Sequence, residues 1–253
     1  MNVGATSGSG VLKLWLLNVS GNALVLASWY WWLLIPDARG WQVVWTAVQA
    51  LLTIAFVLWL RAGTAAWLRV SELRNRAVIG PAFRRGWRHA VPLAVWFAVF
   101  VVVAWIIIRA GHYTPQFSVW IRQKVNAGPP PRNVMHATDW LLFALLWVVL
   151  PAVWIPIATT IAAVGFSGAH MRRSLRVLRR PLYWLLYCVL MALAAWAPYK
   201  LVTWVLELST LRQQSWSAGL RFAAAYVVMI TAGLGLMWMA AERTDREDPI
   251  LSA

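Results

Sequence analysis

Two arginine-rich segments carry the strongest chemical signal in this 253-residue chain. Arg84-Arg85-Gly86-Trp87-Arg88, followed by Pro92 and Trp96, recurs as Arg172-Arg173-Ser174-Leu175-Arg176, followed by Pro181 and Trp184. The arginines and the tryptophan repeat at a spacing of 88, and the proline is off by one. A guanidinium stays charged and presents five donors in a fork that matches phosphate oxygens. Arg84, Arg85, Arg88, Arg172, Arg173 and Arg176 are therefore candidate ligands for anionic lipid head groups. Ordinary anchoring of span ends by basic residues accounts for the same pattern, and the sequence leaves both readings open.

A second set of residues matters because lipid tolerates polar groups poorly. Asn18, Ser20 and Asn22 fall in one long apolar stretch, and Thr46, Gln49 and Thr53 share a helical face of the next. They are expected to form an interhelical hydrogen-bond seam, each contact contributing about 0.6 to 2 kcal/mol. Pro151 and Pro156 interrupt a third stretch, and Thr159 and Thr160 follow as hydroxyls able to satisfy the carbonyls that the prolines free. Such a broken helix is either a static kink or the wall of a binding site.

Other chemistry finds little support. His112, His136 and Asp139 suggest at most a surface metal site, since their spacing is no recognised ligand pattern. His89 and His170 would need to converge to hold a haem, and nothing in their spacing requires it. Asp139 is expected to complement a helix N-terminus, Lys200 and Glu207 lie too far apart to pair directly, and the single Cys188 reads as a small buried residue. No charged residue is expected at the centre of a span. The P-loop, HExxH, CxxCH and GxSxG patterns are missing, so no cofactor, metal or catalytic residue is assigned.

The elements that must position these residues are membrane helices. Hydrophobic residues make up 61% of the chain and charged residues 12%, half the usual share for a soluble domain. A span needs roughly 20 apolar residues, and such stretches run over 11–35, 41–60, 90–108, 140–165, 182–205 and 220–241. The expected fold is all-α: a polytopic membrane helical bundle of about six transmembrane helices with short amphipathic interfacial helices. The first stretch is read as an uncleaved span rather than a signal peptide, because Trp29, Tyr30, Trp31 and Trp32 prolong it.

A single membrane domain over 1–253 is expected, ending in a flexible acidic tail at 242–253. The repeat reads either as duplication of a helical hairpin, 41–108 and 140–205, or as chance recurrence. The connections at 67–77 and 171–182 have helical periodicity. Trp67, Val70, Leu73 and Ala77 line one face, with Glu72 one turn before Arg76; Met171, Leu175, Leu178 and Leu182 line the other. Phe117, Trp120, Ile121 and Val125 make a further amphipathic stretch, which Pro129-Pro130-Pro131 ends in a stiff extended turn. Many of the 20 tryptophans mark span ends, whereas Trp45, Trp96, Trp105, Trp147, Trp154 and Trp196 lie deeper and are expected to pack, with an aromatic pocket as the lesser reading.

Charge sets the orientation. Fifteen Lys and Arg fall on the N-terminal side of these spans and eight on the other, which places both termini in the cytoplasm of an inner-membrane protein. The net charge of +15 does not imply nucleic acid, because no soluble basic module is present; the expected partner is a bilayer with anionic head groups. The sequence thus points to a non-catalytic accessory or structural subunit with protein partners in a membrane complex. The alternative is a small transporter or lipid-handling protein.

Overall fold

The computed structural model describes residues 8–35, 39–69, 78–124, 131–204 and 210–245. Among these no strand occurs, and six helices are long and apolar enough to cross a membrane: Ser9–Leu33, Gly40–Arg69, Ala90–Gly111, Arg132–Val164, Pro181–Thr203 and Leu211–Ala241. Apolar composition makes helix the obligatory state here, because each peptide group must find its partner within the span.

The elements in chain order are α1 (Gly8–Leu33), α2 (Gly40–Arg69), α3 (Gly80–Arg88), α4 (Ala90–Gly111), α5 (Thr114–Lys124), α6 (Pro131–Ala144), α7 (Leu150–Val164), α8 (Gly168–Leu175), α9 (Pro181–Met191), α10 (Ala197–Thr203) and α11 (Leu211–Asp245). A π-helical turn over Leu145–Val149 joins α6 to α7, and another over Ala192–Trp196 joins α9 to α10. Each is followed at the second position by a proline, Pro151 or Pro198. Proline lacks an N–H, and its ring collides with the carbonyl four residues earlier. A turn closed by i→i+5 bonds, Leu150 N–H to Leu145 O and Ala197 N–H to Ala192 O, widens the helix where that carbonyl must yield. The sequence reading singled out Pro151 and missed the equivalent Pro198.

The chain divides into two compact units, residues 1–93 with 156–253, and residues 94–155. In the first, the core is built on the second half of α2, where Leu60, Ala62 to Leu68 and Arg69 are all buried. Trp67 and Leu68 pack with Leu14, Leu60, Ala82, Phe83 and Ala241. Small residues bring α3 against α2: a Cβ on Gly86 would lie 2.6 Å from the carbonyl of Ala62 and 2.7 Å from the nitrogen of Gly63. Without a hydrophobic force between helices in lipid, such close backbone approach is the main source of packing energy. In the second unit α5 packs alongside α6, and Trp154 meets Phe97 and Phe100 at centroid distances of 6.2 and 5.2 Å.

Several boundaries differ from expectation. Span two does not end at Leu60 but runs to Arg69, so Arg61 lies within a span. The run Ala62-Gly63-Thr64-Ala65-Ala66 faces protein, which accepts residues that lipid would not. The helix of span four begins at Pro131, so Asp139 is an exposed mid-helix residue and caps no N-terminus. Pro131 starts that helix rather than closing an extended turn. The last helix continues through Asp245, into the stretch read as a tail.

Candidate functional site

The C-terminal end of α7 holds two arginines of the first unit, Arg69 and Arg85. Thr160 is its hub: Arg69 donates from Nη1 to Thr160 Oγ1 at 2.7 Å, and the hydroxyls of Thr160 and Ser174 lie 2.7 Å apart. Those hydroxyls also reach the carbonyl oxygens of Pro156, at 2.7 Å, and His170, at 2.8 Å. Three residues further on, within the same turn, Arg85 donates from Nε to Ala163 O at 3.2 Å. The carbonyls at a helix C-terminus carry partial negative charge, so a cation is favoured there. The helix stops at Gly165, whose φ of +81° forms a left-handed cap with its N–H on Ile161 O at 2.9 Å, as glycine readily allows. The His89 ring covers that glycine, since a Cβ there would sit 3.1 Å from Nδ1.

Both arginine segments therefore attach to the same helical turn. Gly86 and Ser174 hold the same position in the two copies, and both are buried. Arg84, Arg88, Arg172 and Arg176 point outward and are exposed, while Arg173 is half-buried and engaged. Arg84, Arg85, Arg88 and His89 line an open groove of about 770 Å³ together with Gly80 and Pro81. Burial, and then the charges of Arg85 and Arg88, push the His89 pKa below its ordinary value, so the groove repels one more positive charge.

The amphipathic reading of 171–182 needs correction. Residues 176–179 form a 3-10 turn and Arg180 is extended, so no single helix spans the segment. Ser174 and Val177 face inward with no exposure, while Met171, Leu175 and Leu178 are half-buried and Leu182 is exposed. The corresponding face of 67–77 lies outside the described residues beyond Arg69, and so does the Glu72–Arg76 pair. Trp67, placed on a basic loop by sequence, is instead fully buried.

A polar seam joins α1 to α2, with different partners from those expected. Asn18 Nδ2 donates to Thr64 Oγ1 at 3.0 Å, and Arg61 Nη2 donates to Asn22 Oδ1 at 2.9 Å. Gln49 Nε2 donates to Ser28 O at 2.7 Å, and the Ser28 and Thr53 hydroxyls lie 2.9 Å apart. Among the described residues, Ser20 bonds only to its own helix and Thr46 Oγ1 is buried without a partner. Tyr226 of α11 closes the seam through a hydroxyl bond to Val19 O. Thr64, Arg61, Ser28 and Tyr226 were missed. The run of small residues after Arg61 was the available signal, because it marks a helix that faces protein.

Gln49 and Thr53 line a small cavity of about 130 Å³ with Ser28, Trp29 and Trp32. Thr159 does not line it; its hydroxyl donates to Pro156 O at 2.9 Å, inside α7. The threonines thus reinforce the carbonyl of Pro156 itself, not those freed by the prolines. Of the tryptophans read as deep, Trp45, Trp105, Trp147 and Trp196 are exposed on helix surfaces. Cys188 is exposed, not buried. Glu207 lies outside the described residues, and Lys200 sits over the Trp196 ring at 5.9 Å. Among the described residues no three His, Cys, Asp or Glu side chains converge as metal ligands; His136 instead lies 3.4 Å from Arg132 Nε.

Six long apolar helices, many with tryptophans exposed on their surfaces, are those of a multi-pass helical membrane protein. No family model, curated protein or solved structure matches this chain.

Proposed function

We propose that this protein binds the head groups of anionic lipids at the basic end of its first unit. The supporting observation is the attachment of both arginine segments to one turn of α7, which leaves Arg84, Arg88, Arg172 and Arg176 exposed around it. Phosphate esters at a membrane surface supply the charge that these guanidiniums lack, at about 1 kcal/mol per arginine. In this reading the basic end and both termini face the cytoplasm of an inner membrane.

Binding of phosphatidylglycerol against phosphatidylcholine in nanodiscs tests it. Changing Arg84, Arg88, Arg172 and Arg176 together to Ala removes charge without removing an anchoring bond. The anionic preference should fall by roughly a hundredfold or more while thermal stability holds. An unchanged preference would sink the proposal.

A second reading is an accessory or structural subunit of a membrane complex. It is favoured by Arg61, a guanidinium within α2 whose partners among the described residues, Asn22 and Tyr226, are neutral.

A further inference from the structure

A half-open apolar slot of about 340 Å³ runs between α1, α2, α9 and α11 in the first unit. Val11 and Trp15 of α1, Leu68 of α2, Leu186 of α9 and the face of α11 from Thr231 to Met239 line it. Val11 stands two residues inside the first span, Leu68 one residue before the end of the second, and Met239 two before the end of the last. The slot therefore begins at head-group level. From Met239 back to Thr231 is eight residues of helix, about 12 Å, which carries it nearly half-way through a hydrocarbon core of roughly 30 Å. At its inner end Trp15 Nε1 donates to Thr231 Oγ1 at 3.0 Å, and that hydroxyl donates to Val227 O at 2.7 Å. The deepest polar groups of the lining are thus bonded already, and the walls offer hydrocarbon.

Shape and charge narrow the occupant. The volume is about twice the ~150 Å³ of an engineered apolar cavity that holds benzene, which leaves room for roughly a dozen carbons. A helix, about 10 to 12 Å across with its side chains, would need more than twice that space over the same length. A single hydrocarbon chain fits both the length and the volume. Cations stand at the same end: Arg176 and Arg179 are exposed on the 3-10 turn that packs against α9 and α11, and Lys13 is exposed on α1. An uncharged hydrocarbon gains nothing from them. A lipid with an anionic head group brings a chain and a phosphate to the two levels at which the protein offers a slot and guanidiniums.

We propose that the slot seats one acyl chain of an anionic phospholipid whose phosphate rests on Arg176 and Arg179. Such a site rests on the head-group reading above and adds to it, because the lipid is then held as a ligand by its chain as well as its charge. Moving a chain from the bilayer into the slot brings no hydrophobic gain, since lipid tails are as apolar as leucine. What the slot adds is dispersion contact with fixed walls, and a position for the head group that the chain sets in advance.

Phosphatidylglycerol carrying a photoreactive diazirine half-way along one chain tests this on the full-length protein in phosphatidylcholine nanodiscs, with the labelled residues mapped by peptide mass. Labelling should concentrate on 11–15 and 231–239, at least about tenfold above that from phosphatidylcholine bearing the same chain. Arg176→Ala with Arg179→Ala should lower it to the phosphatidylcholine level. Leu234→Trp and, separately, Leu186→Trp enlarge the wall into the slot, so each should cut labelling at 231–239 by about tenfold while the melting temperature holds. Two variants on different helices guard against one that misfolds. Labelling spread evenly over the exposed faces of the spans, or equal labelling by the two lipids, overturns the proposal. So does slot labelling that both tryptophan variants leave unchanged. The nanodisc preference for phosphatidylglycerol separates this failure from that of the head-group reading. A preference lost in the fourfold arginine variant, without slot labelling in the wild type, keeps the basic surface and rejects the slot; no preference in the wild type rejects both.

Discussion

The two arginine segments share a pattern and differ in how they are fastened. In the first, the third position is Gly86, pressed onto the backbone of α2; in the second it is Ser174, bonded to Thr160 of α7. At that position the first is held by shape and the second by hydrogen bonds, although the first also has the Arg85 bond to Ala163 O. In both, the arginines two positions before and two after, Arg84 and Arg88 or Arg172 and Arg176, are exposed, so the repeated feature is the presentation of charge. Backbone contact allows no side chain at all, whereas a hydroxyl contact allows others at a cost. The tolerance of the two copies to substitution should therefore diverge even where their role in binding is the same.

Exchanging the third residues breaks the comparison most severely. Gly86→Ser places a Cβ within 2.6 to 2.7 Å of backbone atoms of Ala62 and Gly63, where no side chain can rotate away. The expected loss is about 3 kcal/mol or more, a fall of roughly 10 °C in the melting temperature in mild detergent. A melting temperature within a few degrees of wild type would show that α3 is not held by close packing.

Charge removal is expected to come next and to be symmetrical. Arg84 and Arg88 changed together to Ala, and separately Arg172 and Arg176, should each weaken binding to phosphatidylglycerol nanodiscs by about thirtyfold, at about 1 kcal/mol per arginine. Raised salt should weaken the wild type in the same direction. A loss confined to one pair would show that only one segment contacts head groups, and the repeat would then be positional alone.

Removal of the second anchor is milder. Ser174→Ala deletes the hydroxyl that meets Thr160 and His170 and introduces no clash, so about 1 to 2 kcal/mol is expected. Thr160→Val should cost more, because the bond from Arg69 Nη1 is lost as well. If Ser174→Ala equals Gly86→Ser in cost, the distinction between shape and hydrogen bonding fails.

What the sequence disclosed follows the same division. Apolar runs mark helices because lipid admits no alternative backbone state, and all six spans were legible, the first, third and fifth to within three residues at each end, whereas the second, fourth and sixth run eight or nine residues further at one end. Span two was cut short because Arg61 and Gly63 resemble the end of a membrane segment. They belong to a stretch that faces other helices, and only tertiary contact distinguishes the two cases. The arginine repeat was legible as a pattern, but its inward residues, Gly86, Ser174 and Val177, were not. Nothing in a list of residue types says which position of a short segment turns toward α2 or α7. The seam was half legible: Asn18, Asn22, Gln49 and Thr53 stood out as polar, but the partners of the first two, Thr64 and Arg61, lay where the span was thought to have ended, and Ser28, the partner of the other two, carried no distinguishing pattern.

The smallest effect is a titration at the junction of the first segment with α4. His89 lies outside the spans, and its pKa is held below the ordinary value by burial and by Arg85 and Arg88. The folded protein therefore binds this proton less readily than the unfolded chain. Stability should be unaffected well above the unfolded value of about 6.5, decline as the pH falls through it, and level off below the folded value. His89→Gln should remove that part of the dependence. Because the side chain is only half-buried, the change will be slight, and NMR titration of the His89 ring is the sharper measurement. Arg84 and Arg88 changed to Ala should raise its pKa, and so should an anionic head group seated in the groove, since either makes the local potential less positive. Substitutions in the second segment at Arg172 and Arg176 should leave the lipid-free value alone, because the charges that depress it belong to the first. A rise on adding phosphatidylglycerol that is absent with phosphatidylcholine would place the phosphate beside His89, and no response to either lipid would move the binding surface to the second segment.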